Sequence, residues 1–262
     1  MFDSHMHTPL CKHAVGTPAE YVAAARKAGL QGIVMTDHSP MPAWFDAQFR
    51  MSLEQLPFYL SMLEQTHREA GDFYVGIGLE ADFLPGTEYY VKRLCLAYPY
   101  DYVIGSIHYI GAWPFDNPDF AADFEERDLR EIYREYFKLV ARAARSELFH
   151  SIGHLDLPKK FGHIPAEGYL DLAEEALQII AGEGLALDVN TAGWRKPVGE
   201  IYPSPALLAR ARELGIRVVL GSDAHAPEEV GYRFPDAAML LKRAGYTEAV
   251  VYRAGEPRAY PL

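Results

Sequence analysis

Imidazoles and carboxylates at regular places are what this 262-residue chain offers first as chemistry. His5 and His7 form a His-x-His near the start, and Asp223 and His225 form an Asp-x-His late in the chain. Between them stand His38 in Thr36-Asp37-His38, Glu80 in Gly78-Leu79-Glu80, His108 in Ser106-Ile107-His108 and His154 in Gly153-His154-Leu155-Asp156. Imidazole suits zinc, iron and manganese, and a carboxylate can bridge two ions. A lone histidine is more often a hydrogen-bonded structural residue than a ligand. Paired motifs together with four further candidates are hard to reach by chance, and a cluster of two or three divalent ions is their simplest common use.

Those groups must be carried to one place by the elements that hold them. Alternating or apolar runs predict strands at 2–8, 32–36, 73–79, 102–107, 149–153, 186–190, 218–222 and 249–252. Helical patterns lie between them, at 17–29, 52–71, 87–96, 128–146, 165–182, from 204 onward, and 235–244. Thr17-Pro18-Ala19-Glu20 reads as a capping box with proline in the first turn. Such alternation implies a parallel sheet with helices outside, and about seven units favour a closed barrel over an open sheet. Each candidate ligand then sits at the carboxyl end of a strand, the face on which barrel active sites form. Residues 109–124 have no clear period; a lid and an ordinary surface insertion both fit.

Composition narrows the function. Lys plus Arg number 25 against 36 Asp plus Glu, a formal charge of -11, which disfavours non-specific nucleic-acid binding. No apolar run is long enough for a bilayer and no signal pattern opens the chain, so no membrane partner is expected. Cys11 and Cys95 cannot build a disulfide framework and point to a cytoplasmic protein. No repeat or linker divides residues 1–262, which read as one domain. Among the other histidines, His13 can fold back over the mouth, His67 reads as a solvated helix face, His150 as core or surface, and His163 as exposed. Cys11 reads as a small packed residue. Oligomeric state is left open.

The metal motifs resemble those of the PHP (polymerase and histidinol phosphatase) family of metal-dependent phosphoesterases. The segments HTPLCKHAVGTPAEY, TDHSPMP, GLEADF, SIHY, GHLDLPKKFG, NTAGWRKPVGEIYPS and GSDAHAPEEVGY further resemble its monofunctional histidinol-phosphate phosphatase branch. The resemblance implies an α/β fold, a distorted (β/α)7 barrel, with three divalent ions (zinc, iron or manganese). It implies that His5, His7, Glu80 and Asp223 hold the first ion. Glu80, His108 and His154 hold the second, with Glu80 bridging, and His13, His38 and His225 hold the third. Lys160 and Arg195 fall where the family places phosphate-binding cations, with Lys159 as a neighbouring competitor for the first role.

The implied activity is hydrolysis of L-histidinol phosphate to L-histidinol and phosphate, a step of histidine biosynthesis, by attack of a metal-bridging hydroxide. Three divalent ions bring about +6 against the carboxylates Glu80 and Asp223, so the pocket would attract a small phosphomonoester inside an acidic protein. Catalytic roles thus fall to Glu80, Asp223, Arg195 and Lys160, with Arg195 a candidate for a bidentate contact. Trp44, Phe45, Asp46, Asp82 and Trp113 are candidates for the imidazole and amine of the substrate, each with an ordinary packing or solvated role as the alternative. Asp3 is a candidate for orienting ligands from behind. Rival readings are a phosphodiesterase or nuclease on the same metals, a phosphatase for another small ester, a non-catalytic metal domain and a two-metal amidohydrolase.

Overall fold

The alternation is realised as a parallel barrel. In the computed structural model, which describes residues 1–42 and 44–262, seven strands form one sheet in chain order. They are β1 Phe2–Asp3, β2 Gly32–Met35, β3 Tyr74–Asp82, β4 Tyr102–Ser106, β5 Ser151–Ile152, β6 Ala186–Asn190 and β7 Arg217–Gly221. Each neighbouring pair is parallel. Beyond β1 the chain turns to β7: the Ser4 and His7 amides donate to the Leu220 and Ala224 carbonyls, both at 2.9 Å. These bonds nearly close the sheet into the expected distorted (β/α)7 barrel. The intervening helices are α1 Pro18–Lys27, α2 Leu56–Glu69, α3 Glu88–Leu96, α4 Leu129–Ala144, α5 Leu170–Gly182, α6 Pro205–Glu213 and α7 Phe234–Arg243.

Local sequence explains the helix ends. Thr17 and Glu20 form the anticipated capping box, each side chain accepting the other's backbone N–H. Asp128 caps α4 by accepting from the Arg130 and Glu131 amides at 2.8 and 3.2 Å. The inner face of α4 buries Ile132, Tyr133, Tyr136, Phe137 and Val140 against the sheet, a contact that large apolar side chains drive by leaving water.

Several boundaries differ from the sequence expectation. β1 is short because Met6 bonds sideways, its amide to the Thr36 hydroxyl and its carbonyl to the Thr36 amide. β3 is longer because its first half pairs with β2 and its second half with β4, which carries Glu80 inside a strand. α5 starts at Leu170 and not at Pro165. A single turn from Pro165 closes at Gly168, whose φ of 75° ends it.

The last anticipated strand is not a barrel strand. β8 Glu248–Arg253 pairs antiparallel with an unforeseen β9 Glu256–Pro261 around a turn at Ala254-Gly255. This hairpin lies across the strand beginnings. Tyr260 packs edge-on to Phe2 at 5.1 Å, Tyr252 stacks on Tyr102 at 5.1 Å, and the Tyr252 hydroxyl donates to the His150 carbonyl. It covers the end of the barrel opposite the histidines.

Candidate metal centre and active site

The strand ends bring the anticipated imidazoles and carboxylates together around Glu80. Its Oε2 lies 3.5 Å from His5 Nε2, 3.6 Å from His7 Nε2 and 3.0 Å from His38 Nδ1. Its Oε1 lies 3.0 Å from His154 Nε2 and 3.6 Å from His108 Nε2. One carboxylate therefore faces two sets of imidazoles with separate oxygens. Asp223 Oδ1 completes the first set, 3.1 Å from His7 Nε2 and 3.7 Å from His5 Nε2. His13 and His225 face each other Nε2 to Nε2 at 3.0 Å, and the ligand atoms of His7, His38 and His225 group together beside them. His154 and Asp223 hold positive φ values of 22° and 52°, strained for non-glycine residues and found at this one face.

Behind the imidazoles stands a ring of acceptors. His5 Nδ1 lies 2.8 Å from Asp188 Oδ2 and His108 Nδ1 lies 2.7 Å from Asp82 Oδ1. His13 Nδ1 lies 2.8 Å from the Cys11 carbonyl and His225 Nδ1 lies 3.0 Å from the Asp223 carbonyl. A carboxylate or carbonyl can only accept, so Nδ1–H donates and Nε2 is the nitrogen left to face the centre, as in metal-ligating histidines. Asp188 reaches His5 past Gly221, where a Cβ would stand 2.4 Å from its Oδ1.

The donor set fits divalent ions. Ligand atoms bound at about 2.0–2.1 Å stand roughly 3.0–3.4 Å apart around one ion, and the contacts around Glu80 and Asp223 run from 3.0 to 3.7 Å, close to that spacing. His5 Nε2 and His38 Nδ1, both turned toward Glu80, are buried without a hydrogen-bond partner among the described residues. Charge is matched across the cluster. Burial works against ionising Glu80, but His38 and His5 hold it well below the usual carboxylate range. Burial likewise opposes a charge on His7, yet Asp223 and Asp37 lift it to about 9. Asp82, buried but beside Arg50 and His108, falls to about 2.

A cavity of about 520 Å³ opens over this cluster, a size suited to a small ligand. Lys160, Arg195 and Lys196 line it. Lys160 Nζ donates to the Asp116 carbonyl at 2.6 Å. Lys196, which has no motif of its own beside Arg195, has its ammonium pKa lowered by burial. Lys159 is excluded from the phosphate role. It is fully buried, with Nζ 2.6 Å from Glu200, 2.7 Å from the Ile201 carbonyl and 2.9 Å from Asp156. The anticipated bidentate use of Arg195 is also corrected. Glu229 occupies its Nε and Nη2 edge at 3.2 Å on both atoms, leaving Nη1.

Other expectations are revised at the mouth. Of the five substrate candidates only Asp46 lines the cavity. Trp44 is 74% exposed, and Trp113 is buried against Phe115 and Phe124. Asp82 lies beneath, gripping Arg50 and His108. Residues 109–124 form an ordered wall, anchored by buried Trp113, Phe115 and Phe124, that brings Asp116 and Asn117 to the cavity. Asp3 pins backbone and not ligand side chains: it accepts from the Ser222 and Gly231 amides at 2.9 and 2.8 Å. His163 is half-buried, stacked on Phe124 at 4.6 Å. His150 lies at the opposite barrel end, and exposed His67 bonds the Val75 carbonyl. Cys11 is buried, which pushes its thiol up to about 12.

A distorted seven-stranded barrel with clustered imidazoles and carboxylates at its strand ends defines a metal-dependent phosphoesterase of the PHP type, and the chain belongs to the PHP domain family, which matches residues 3–192. Asp223 and His225 lie beyond that match and join the cluster through β7. Within the family the similarity is to histidinol-phosphatases. A probable histidinol-phosphatase of Deinococcus radiodurans is 58% identical over 244 residues, 93% of each chain. The histidinol-phosphatase of Bacillus subtilis is 29% identical over 88% of this chain and 96% of its own. The solved histidinol phosphate phosphatase of Lactococcus lactis, in complex with zinc, L-histidinol and phosphate, superposes with a TM-score of 0.85 at 25% identity over 98% of both chains.

Proposed function

We propose that the chain is a histidinol-phosphatase, a phosphoric monoester hydrolase that releases L-histidinol and phosphate in histidine biosynthesis. The observation that carries the reading is Glu80 set between two groups of imidazoles at the floor of a cation-lined cavity. The strong similarity to histidinol-phosphatases along nearly the whole chain supports the same substrate.

Nine side chains would hold three divalent ions: His5, His7, Glu80 and Asp223 the first, Glu80, His108 and His154 the second, and His13, His38 and His225 the third. Zinc is the metal in the Lactococcus relative, and iron and manganese suit the same nitrogen and oxygen donors. Bound divalent ions supply Lewis acidity, which polarises phosphoryl oxygens and makes water a stronger nucleophile at neutral pH.

The chain's own residues prepare that chemistry. Asp188 and Asp82 fix the rings of His5 and His108 so that each presents one nitrogen inward. Lys160 and Arg195 offer positive charge to the phosphate oxygens, Arg195 through Nη1. The wall at residues 109–124 lines the cavity with Asp116 and Asn117. We place the reaction in the cytoplasm, on the support of two unpaired cysteines, and take residues 1–262 as one functional domain without nucleic-acid or membrane partners. No helix among the described residues is long and apolar enough to cross a membrane.

Phosphate release from a monoester and cleavage of a diester, measured on the same zinc-loaded preparation, test the reaction class. Monoester turnover should exceed diester turnover by about 100-fold or more, because a diester lacks the second anionic oxygen that the cations meet. Faster cleavage of the diester would replace the phosphatase reading with a nuclease-like one.

A further inference from the structure

Arg195 is gripped along one edge only. Its Nε lies 3.2 Å from Glu229 Oε1, and its Nη2 donates to Glu229 Oε2 at 3.2 Å and to the Ser222 and Asp223 carbonyls at 3.0 and 3.1 Å. The Tyr232 ring lies against the guanidinium, 5.1 Å from centroid to Cζ. Nη1 is buried with no hydrogen-bond partner among the described residues, and both Arg195 and Glu229 line the cavity. A buried guanidinium nitrogen without an acceptor is costly, so this arrangement is built for an anion that arrives from the cavity.

Glu229 also binds the metal-side loop. Its Oε2 accepts from the His225 amide at 2.9 Å. Arg195 ends the 3-10 turn Thr191–Arg195 after β6, and Glu229 ends the turn Pro227–Glu229 after β7. One carboxylate thus sets a cavity cation in register with the loop that carries Asp223 and His225.

We propose that Glu229 is a positioning residue for phosphate capture: it fixes the Nε and Nη2 edge of Arg195 so that Nη1 alone is presented to the phosphoryl group. The proposal rests on the phosphatase reading of the cavity. A free arginine side chain has several rotatable bonds to immobilise on binding, and a preformed ion pair removes that cost before substrate arrives.

The test compares the zinc-loaded wild type with Arg195→Ala, Glu229→Gln and the double variant. Four quantities are read on each: KM and kcat for histidinol phosphate, the inhibition constant of inorganic phosphate, and zinc content. Glutamine keeps a carbonyl oxygen for the His225 amide but turns an amide donor toward Arg195. Glu229→Gln should raise KM and the phosphate inhibition constant about tenfold, with a smaller change in kcat and unchanged zinc. Arg195→Ala should raise both at least as much, and the double variant should be no worse than Arg195→Ala alone, because residues acting through one contact are not additive. Unchanged KM in Glu229→Gln, or a double variant showing the product of the two single effects, overturns the positioning role. Unchanged KM and phosphate inhibition in Arg195→Ala overturns it too and also removes Arg195 from the phosphate site.

Discussion

Glu80→Gln is expected to lower kcat/KM for histidinol phosphate by about 10³-fold or more and to reduce the zinc content of the purified protein. Both carboxylate oxygens face imidazoles. Oε2 faces His5, His7 and His38, and Oε1 faces His108 and His154. Glutamine keeps the volume but replaces one oxygen with an amide nitrogen, which cannot ligate as a carboxylate does. It also removes the negative charge that offsets two adjacent cations. Metal-ion stabilisation of phosphoryl transfer is worth several kcal/mol, and each 1.36 kcal/mol is about a factor of ten in rate. The barrel should survive, because the sheet around β3 is held by backbone pairing with β2 and β4. Circular dichroism and metal analysis on the same sample check both halves. Full zinc content with wild-type turnover in Glu80→Gln would contradict the bridging role.

Removal of metal should have an effect of similar size and be reversible. Chelation is expected to abolish turnover and lower Tm, since ions that bind only the folded chain stabilise it. Added zinc should restore both. The pH dependence of reloading has a definite sign. In the metal-free chain burial opposes a charge on His108, but Asp82 raises its pKa to about 9, and His7 is raised to about 9 against burial by Asp223 and Asp37. Both rings therefore carry protons at pH 7 that an entering ion must displace. Zinc affinity should rise between pH 6 and pH 8, with protons released on binding. A chelated, metal-free protein that keeps its turnover would remove the metal centre from the mechanism.

The parts of this site legible in the sequence are those with a spacing. His5 and His7 are two apart in an extended segment and point one way. Asp223 and His225 repeat that arrangement, and a parallel barrel sends every strand end to one face. Asp188, Asp82 and Glu229 had no such signal. Asp188 meets His5 across 183 residues of chain, and a lone aspartate in a buried strand has no motif that announces a partner. Lys159 and Lys160 are adjacent in sequence, yet one is sealed beneath the loop and the other reaches the cavity. Only the turn Leu157–Phe161 decides which is which.

The fold departs from the sequence pattern where punctuation residues imitate an element boundary. Pro165-Ala166-Glu167 imitates the start of α1, but Gly168 closes one turn and α5 begins after it. β9 has little strand signal in the sequence because Pro257, Pro261 and its charged residues weaken the pattern. It is nonetheless held by pairing with β8 and by Tyr260 against Phe2.

A metal centre that serves one phosphomonoester must show it in its specificity. Steady-state phosphate release from zinc-loaded protein should be compared for histidinol phosphate and a panel of unrelated phosphomonoesters. The kcat/KM for histidinol phosphate should lie about 10³-fold above the others, the discrimination expected of a cavity that pairs polar groups with its substrate. A flat profile across the panel would leave the barrel and its cluster standing and contradict the assignment to histidinol phosphate.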